Sequence, residues 1–212
     1  MSRVTEVMDY LTEKELLDYF LRTSKAKREA IGKEALRIGT IVDQMVQDDI
    51  KEGDYLIPGE ELQIANCMKA WEKFKVEEPW MVPSIASMQD ELVDGELVGH
   101  PDFIIQQEHR VGIIDLKTSK SIYPRYWTQC AQYLHMKWPR LVGNHFIGVL
   151  RLDKETGLYE YKEIDSLDKE IDGREYIQYE IGVFNAYWTA FQHNVKNREQ
   201  IRRMLEEELN VS

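Results

Sequence analysis

Two short stretches of the chain carry residues that could hold a metal ion beside a phosphate ester. They are Gly99-His100-Pro101-Asp102 and Ile113-Ile114-Asp115-Leu116-Lys117. Alternate side chains of a β-strand share a face, so Asp115 and Lys117 are predicted to point the same way. Two acids beside one lysine suit metal-assisted attack on a phosphodiester, because carboxylates bind a divalent cation. The lysine would offset negative charge at the phosphate or orient the attacking water.

Length and composition describe an ordinary globular chain. The 212 residues suit one domain, or one core with a helical appendage, and we expect a single domain over residues 1–212. Hydrophobic residues make up 43% of the chain and charged residues 31%, which is enough for a real core. No apolar run reaches the roughly 18 residues that span a bilayer. The N-terminus lacks the basic start and apolar core of a signal peptide. We therefore expect no membrane partner.

The thiol content excludes several kinds of site. Cys67 and Cys130 lie in predicted helices and are expected to be small buried hydrophobes. A disulfide scaffold, a zinc cluster or an iron–sulfur site would need more thiols at close spacing. By default we expect a cytoplasmic location, or an intracellular one in a host if the source is viral.

The charge is strongly acidic overall but locally basic. A net charge of −11, from 27 basic and 38 acidic residues, argues against non-specific wrapping of nucleic acid. A basic groove can still coexist with an acidic exterior. The two basic clusters are Lys25, Lys27, Arg28, Lys33 and Arg37, and Lys117, Lys120, Arg125, Lys137 and Arg140. Any one of these residues could lie on a solvated helix face, but their bias toward the motif favours a groove there.

Hydrophobic periodicity predicts the elements that position these residues. The predicted helices span 11–22, 27–51, 59–76 and 124–138, with a long helical segment from about 166 to 208. The predicted strands span 81–92, 96–107 and 110–117, a meander, and then 144–152 and 157–164. This order predicts an α/β fold with a central mixed β-sheet flanked by helices. The helix over 124–138 would connect the third strand to the fourth.

Local signals place several element ends. Thr12 and Glu15 would form a capping box, and Gly53 would end the second helix. Asp94-Gly95 predicts a hairpin turn, and Glu155-Thr156-Gly157 predicts the turn before the last strand. The predicted apolar stripe of the second helix is Ile31, Leu36, Ile38, Ile41, Val42, Met45 and Val46.

Four motifs of the chain, in their order along the sequence, resemble those of the PD-(D/E)XK nuclease superfamily, and within it the RecB-like and phage-type exonuclease branch. Pro101-Asp102 matches PD, and Asp115-Leu116-Lys117 matches DXK. Gln129-Cys130-Ala131-Gln132-Tyr133 matches the QxxxY helix motif of that branch. Gly39-Thr40-Ile41-Val42-Asp43 looks like a helix motif that usually carries a histidine, here replaced by Asp43. Each motif is weak alone, but the ordered match over about residues 37–135 is a strong signal.

The resemblance implies a restriction-endonuclease-like core over about residues 37–165, with N-terminal helices and a long C-terminal helix. It implies that Asp102, Asp115 and Lys117 are catalytic. Asp102, Asp115 and the backbone carbonyl of Leu116 would bind Mg²⁺ or Mn²⁺, which prefer oxygen ligands. Asp43 could be a further metal ligand or a solvated helix residue.

Further residues are candidates for contact with the substrate. Gln129 and Tyr133 are four apart on one helix face, which by resemblance looks onto the active site and contacts the lysine or the DNA backbone. Lys120 and Arg125 are weaker candidates. On a strand, His100 would share a face with Asp102, and it could contact metal or phosphate or act as a hydrogen-bonded neighbour.

Two smaller questions stay open in the sequence. Related nucleases often carry a glutamate on the first strand of the meander, and Gln89 and Glu91 are the candidates here. The aromatic residues near the motif could stack on unpaired bases or pack the helix onto the sheet, and packing is favoured. They are Tyr123, Tyr126, Trp127 and Trp138.

We expect a metal-dependent DNA nuclease, more an exonuclease of replication, recombination or repair than a site-specific restriction enzyme. DNA ends or single strands would be its substrate. One alternative is a non-catalytic DNA-binding or assembly protein on the same fold. Another is a structure-selective endonuclease of the junction resolvase type, which would act as a dimer. RNA also stays open, because such a metal site acts on the phosphate and does not contact the sugar.

Overall fold

The computed structural model describes residues 1–9, 23–57, 59, 61–83 and 90–210. The predicted helix over 11–22, with its capping box, lies outside these residues. Within them, no helix is long and apolar enough to cross a lipid bilayer.

The described part of the chain forms five α-helices and seven β-strands. The helices are α1 Val4–Asp9, α2 Lys25–Glu52, α3 Leu62–Glu77, α4 Pro124–Lys137 and α5 Gly173–Asn210. The strands are β1 Ser2–Arg3, β2 Leu92–Asp94, β3 Leu97–Gly99, β4 Phe103–Gln106, β5 Val111–Lys117, β6 His145–Leu152 and β7 Tyr159–Asp165. A short 3₁₀ turn spans Pro79–Met81.

A mixed four-stranded sheet forms the centre of the fold. Its strand order is β4-β5-β6-β7, in which β5 and β6 are parallel and the other pairs are antiparallel. Helix α4 makes the crossover between the parallel strands, as predicted, because parallel neighbours need a long connection. A smaller sheet of order β1-β3-β2 lies beside it. The predicted class, a mixed α/β fold with flanking helices and a long C-terminal helix, is confirmed.

Strand β5 is buried because helices cover both faces of the central sheet. Ile113 packs in a core with α4 and α5, whereas Ile114 and Leu116 pack in a second core with α2 and α3. The strand therefore reads as a nearly continuous apolar run, which is typical of a strand covered on both sides. Asp115 and Lys117 interrupt that run, so their polar side chains need a local reason.

The predicted meander is wrong in two places. The single strand predicted over 96–107 is two strands, β3 and β4, which belong to different sheets. The break falls at residues 100–102, where Pro101 lacks the N–H that a ladder would use. The strand predicted over 81–92 is also wrong in its described part, where a 3₁₀ turn precedes the short strand β2.

The predicted apolar stripe of α2 is only half right. Ile38, Val42, Met45 and Val46 are buried, but Ile31 and Leu36 are exposed. The helix packs against the rest of the fold only from Ile38 onward, because its first turns, residues 25–37, extend past the packed core. It ends at Gly53 as predicted, in a left-handed conformation with φ of 75°.

Candidate functional site

The end of β5 brings Asp115 and Lys117 together. The Lys117 Nζ atom lies 2.6 Å from Asp115 Oδ2, which confirms that the two side chains share a strand face. Asp115 is only 2% exposed. The Lys117 ammonium also lies 5.1 Å from the centre of the Tyr126 ring on α4. The buried Asp115 and the half-buried Lys117 form the ion pair at the centre of the candidate site.

Asp102 is tied to β5 by its carboxylate. Its Oδ2 atom accepts a hydrogen bond of 2.7 Å from the backbone N–H of Leu116, so the turn after β3 is fixed against the strand end. Burial raises the pKa of the Asp102 carboxyl well above its usual range, and repulsion from Asp115 adds to this rise. The positive charge of Lys117 lowers the pKa again, but by less.

Helix α2 brings a third carboxylate, Asp43, to the same place. One turn earlier, a Cβ atom on Gly39 would lie 3.6 Å from Thr118 Oγ1, so the helix passes close to the end of β5. Gln47 donates a hydrogen bond of 2.9 Å to Asp43. Burial raises the pKa of the Asp43 carboxyl, with repulsion from Asp115, against the hydrogen bond of Gln47 and the charge of Lys117.

Helix α4 closes the site from one side. Gln129 Nε2 donates a hydrogen bond of 3.1 Å to the hydroxyl of Tyr133, and both side chains are buried. Burial, followed by the charge of Asp115, raises the pKa of the Tyr133 phenol. The QxxxY spacing therefore puts both side chains on one face of α4, where the charge of Asp115 acts on Tyr133.

Gly99 has a steric role that the sequence analysis missed. A Cβ atom there would lie 2.7 Å from Cε1 of the Tyr133 ring, which real Cβ atoms do not tolerate. The last residue of β3 must therefore be glycine for Tyr133 to pack behind the site. The sequence signal is the glycine that opens the Gly99–Asp102 motif, since a glycine inside a strand can mark the close approach of another group.

Several candidates lie farther out. His100 is 46% exposed and lies 3.9 Å from Glu91. Residues 100–102 are not in a strand, so the argument that His100 and Asp102 share a strand face is wrong. Lys120 is exposed in the loop after β5, and the Arg125 guanidinium lies over the Tyr126 ring at 5.6 Å.

The structure also describes most of the positions that the sequence left open, namely the glutamate candidates and the aromatic residues near the motif. Glu91 is exposed, and Gln89 lies outside the described residues. The aromatic residues of the motif region pack on the core shared by α4 and the sheet, as the favoured interpretation expected. Arg151 lies beside Lys117 in the β5–β6 register, but its guanidinium is neutralised by Asp153 at 3.0 Å and Glu160 at 2.9 Å.

The site holds more negative charge than its own residues compensate. Three carboxylates influence one another there; the ammonium of Lys117 acts on all of them, and that of Lys51 acts on Asp43 as well. Asp115 Oδ2 is shielded from solvent and accepts no hydrogen bond of good geometry; Lys117 compensates it by ion pairing alone. Carboxylate oxygens are the donors that Mg²⁺ and Mn²⁺ prefer, so the donor chemistry fits such an ion. Among the described residues, however, no three acidic, His or Cys side chains already form a ligand group.

Comparisons with known proteins give a distant structural likeness. No family model matches the chain, and no curated protein matches its sequence. An alkaline exonuclease (LHK-Exo) from Laribacter hongkongensis is similar at 13% identity and a TM-score of 0.40, covering 94% of this chain and 93% of that one. A phage-related exonuclease from Haemophilus somnus 129PT is similar at 14% identity and a TM-score of 0.27, covering 91% and 93%. Neither TM-score reaches 0.5, so any function has to rest on the site itself.

Proposed function

We propose that this protein is a metal-dependent DNA nuclease of the PD-(D/E)XK type. The observation that carries the proposal is the mutual influence of Asp102, Asp115 and Asp43 around the ammonium of Lys117 at the end of β5. Asp115 is buried and the other two acids are half-buried, and acids so placed are costly to keep short of positive charge unless a cation or a reaction uses them. Hydrolysis of a phosphodiester uses both a cation and a lysine.

In this proposal, Asp102, Asp115 and the backbone carbonyl of Leu116 hold Mg²⁺ or Mn²⁺. Asp43 is a further ligand, and its carboxylate keeps the site suited to hard cations. A bound ion would supply an acidified water and a polarised phosphate. The hydrogen bond from the Leu116 N–H holds the Asp102 carboxylate in place for this task.

Lys117 has the role of stabilising negative charge at the phosphate. Its ammonium is positioned by Asp115 at 2.6 Å and by the Tyr126 ring. Burial lowers its pKa, but Asp115 and Asp102 outweigh burial, so the net pKa lies above the usual value and the lysine stays charged. Gln129 and Tyr133 then support the site from α4 or contact the DNA backbone.

The outer candidates would contact the substrate away from the reacting phosphate. Lys120 and Arg125 follow β5 directly in the chain and suit phosphate contacts. His100 stays a weaker proposal, because its ring lies 3.9 Å from the carboxylate of Glu91, whose negative charge would repel a phosphate. A preference for DNA ends or single strands, and a role in replication, recombination or repair, follow from the resemblance to exonucleases.

The test compares linear, end-blocked and circular DNA with Mg²⁺ or Mn²⁺, using the wild-type protein and Asp115→Ala. Loss of linear DNA alone, which requires metal and disappears in the variant, supports the exonuclease. Cleavage of circular junction-containing DNA by a dimer would favour the resolvase alternative. Equal behaviour of both proteins on every DNA and RNA substrate would overturn the catalytic proposal and leave a DNA-binding or assembly role.

A further inference from the structure

The first half of α2 extends away from the body as an exposed arm, residues 25–37. Every residue in it is exposed except Arg28, which is half-buried. At 1.5 Å per residue, its 13 residues span about 20 Å. From Ile38 onward the same helix packs into the core. A soluble chain does not need so long an exposed helix for its stability, because helical stability comes mostly from packing.

The arm is basic in a chain that is otherwise acidic. It holds five basic residues against two acidic ones, whereas the whole chain has a net charge of −11. Arg37 at its base is neutralised, because it contacts Glu34 at 2.8 Å and Glu61 at 2.5 Å. These contacts fix the base of the arm against the start of α3.

The outer lysines of the arm keep their charge available. Lys25 is 83% exposed and only loosely paired with Glu29, at 3.9 Å. Lys27 and Lys33 are exposed, and neither makes an ion pair with another described residue. Ammonium groups held this way bind phosphate oxygens as solvated point charges.

The arm also leads away from the acidic site. Asp43 lies on the same helix, ten residues after Lys33, which is about 15 Å along the axis. Gly39, between them, passes the end of β5 at Thr118. A DNA strand whose phosphate reached the acids could continue along the arm. On the arm it would meet positive charge, whereas the chain as a whole is negative.

We propose that residues 25–37 of α2 are a docking surface for the phosphate backbone of DNA, with Lys25, Lys27 and Lys33 as its contacts. The direction of the strand toward the acids rests on the proposed nuclease function. Binding to the arm itself does not, because it needs only the charge and the exposure of the lysines. An acidic protein partner would be a different occupant, which the test separates.

The experiment measures DNA binding by fluorescence anisotropy between 50 and 300 mM salt. The background carries Asp115→Asn, so that no cleavage disturbs the signal. The arm variant adds Lys25→Gln, Lys27→Gln and Lys33→Gln, and glutamine keeps good helix propensity. The matched control instead adds Lys73→Gln, Lys162→Gln and Lys169→Gln, which are also exposed lysines and change the net charge by the same amount. Circular dichroism and Tm verify that both variants are folded.

We expect the arm variant to bind a 20-base-pair DNA about tenfold to a hundredfold more weakly at 100 mM salt. Its slope of log K against log salt should be flatter by about two to three, one unit for each lost phosphate contact. The control should stay within about twofold of the background. Equal affinities and slopes for the arm variant and the control would overturn the proposal that the arm docks DNA. The absence of DNA binding by the background protein would overturn it too.

Failure of the arm and failure of the nuclease can be told apart. If the wild-type protein degrades no DNA but its binding depends on the arm, the docking surface stands and the nuclease falls. If the wild-type protein degrades DNA and the arm variant binds as the control does, the nuclease stands and the docking surface falls. An acidic protein partner would then be the occupant to consider.

Discussion

Two buried carboxylates in this protein, Asp49 and Asp115, look alike and are treated differently by their surroundings. Each has a lysine Nζ 2.6 Å from its Oδ2 atom: Lys75 for Asp49 and Lys117 for Asp115. Asp49 also accepts a hydrogen bond of 2.8 Å from Trp71 Nε1. Asp115 Oδ2 accepts no hydrogen bond of good geometry.

The difference lies in the charges nearby. Asp115 raises the pKa of both Asp102 and Asp43, so Lys117 has to serve three acids. Asp49 has one lysine and one neutral donor of its own, so its burial is compensated within the fold. Removing a satisfied buried acid is costly because its donors lose their partner, whereas acids left short of positive charge suit a bound cation. The predictions below test this contrast, from the largest effect to the smallest.

Asp115→Asn should have the largest effect on activity. It removes the central charge of the site while keeping the side chain's shape, so metal-dependent DNA degradation should fall at least about a thousandfold. Initial rates on linear DNA measure this. A variant that keeps a tenth or more of the wild-type rate would place the chemistry elsewhere.

Asp49→Ala should have the largest effect on stability and little on activity per folded molecule. It leaves the indole N–H of Trp71 without its acceptor and Lys75 without its closest partner. Because Lys75 is partly exposed, we expect a loss of about 2–3 kcal/mol, or about 5–10 °C in Tm. Calorimetric unfolding tests this. An unchanged Tm would show that the two acids do not differ as described.

Gly99→Ala should damage the site through packing instead of charge. The new methyl group meets the Tyr133 ring, which must shift, at a cost of about 1–3 kcal/mol. The shift also displaces the partner of Gln129 behind Asp115, so the DNA-degradation rate should fall with the Tm. Gly32→Ala is the matched control, because a Cβ there meets no atom within 4 Å. Equal Tm and rate in both variants would contradict the close packing.

Asp102→Asn should raise the stability of the metal-free protein. The folded-state pKa of this carboxyl is raised, mainly by burial, so its ionised form is disfavoured in the fold. The wild-type protein therefore loses stability as the pH rises from the unfolded pKa, about 4, through the raised folded pKa. In chelator at pH 8 we expect the variant to melt about 2–5 °C higher, with a smaller gap at pH 5. A lower Tm for the variant at pH 8 would mean that Asp102 is already compensated.

Residue spacing predicted which side chains of the candidate site share a face, because spacing determines the face of a strand or helix. Local spacing alone predicts that Asp115 and Lys117 share a strand face. It likewise predicts that Gln129 and Tyr133 share a helix face. Element order also predicted that a helix connects the third strand to the fourth, and the structure shows that the two strands which α4 joins are parallel. The likeness of Asp49 and Asp115 did not show in the sequence, because the donors that satisfy Asp49 come from α3, more than 20 residues away.

Tertiary context decided what the sequence missed. Periodicity treated residues 96–107 as one strand, but the turn at Pro101 and Asp102 moves the chain from one sheet to the other. The same turn removes the alternation on which the role of His100 depended. Ile31 and Leu36 fit a helical stripe by spacing, yet nothing in the described fold covers them. Apolar spacing predicts a helix, but it does not reveal where that helix leaves the body.

Binding of Mn²⁺ to the metal-free protein tests the contrast most directly. Isothermal titration would compare the wild-type protein, Asp115→Asn and Asp49→Asn at the same pH and salt. If the acids around Lys117 form a cation site, the wild-type protein and Asp49→Asn bind Mn²⁺ with similar affinity, and Asp115→Asn loses at least about tenfold. No binding by the wild-type protein, or equal binding by all three proteins, would contradict a cation site at the end of β5.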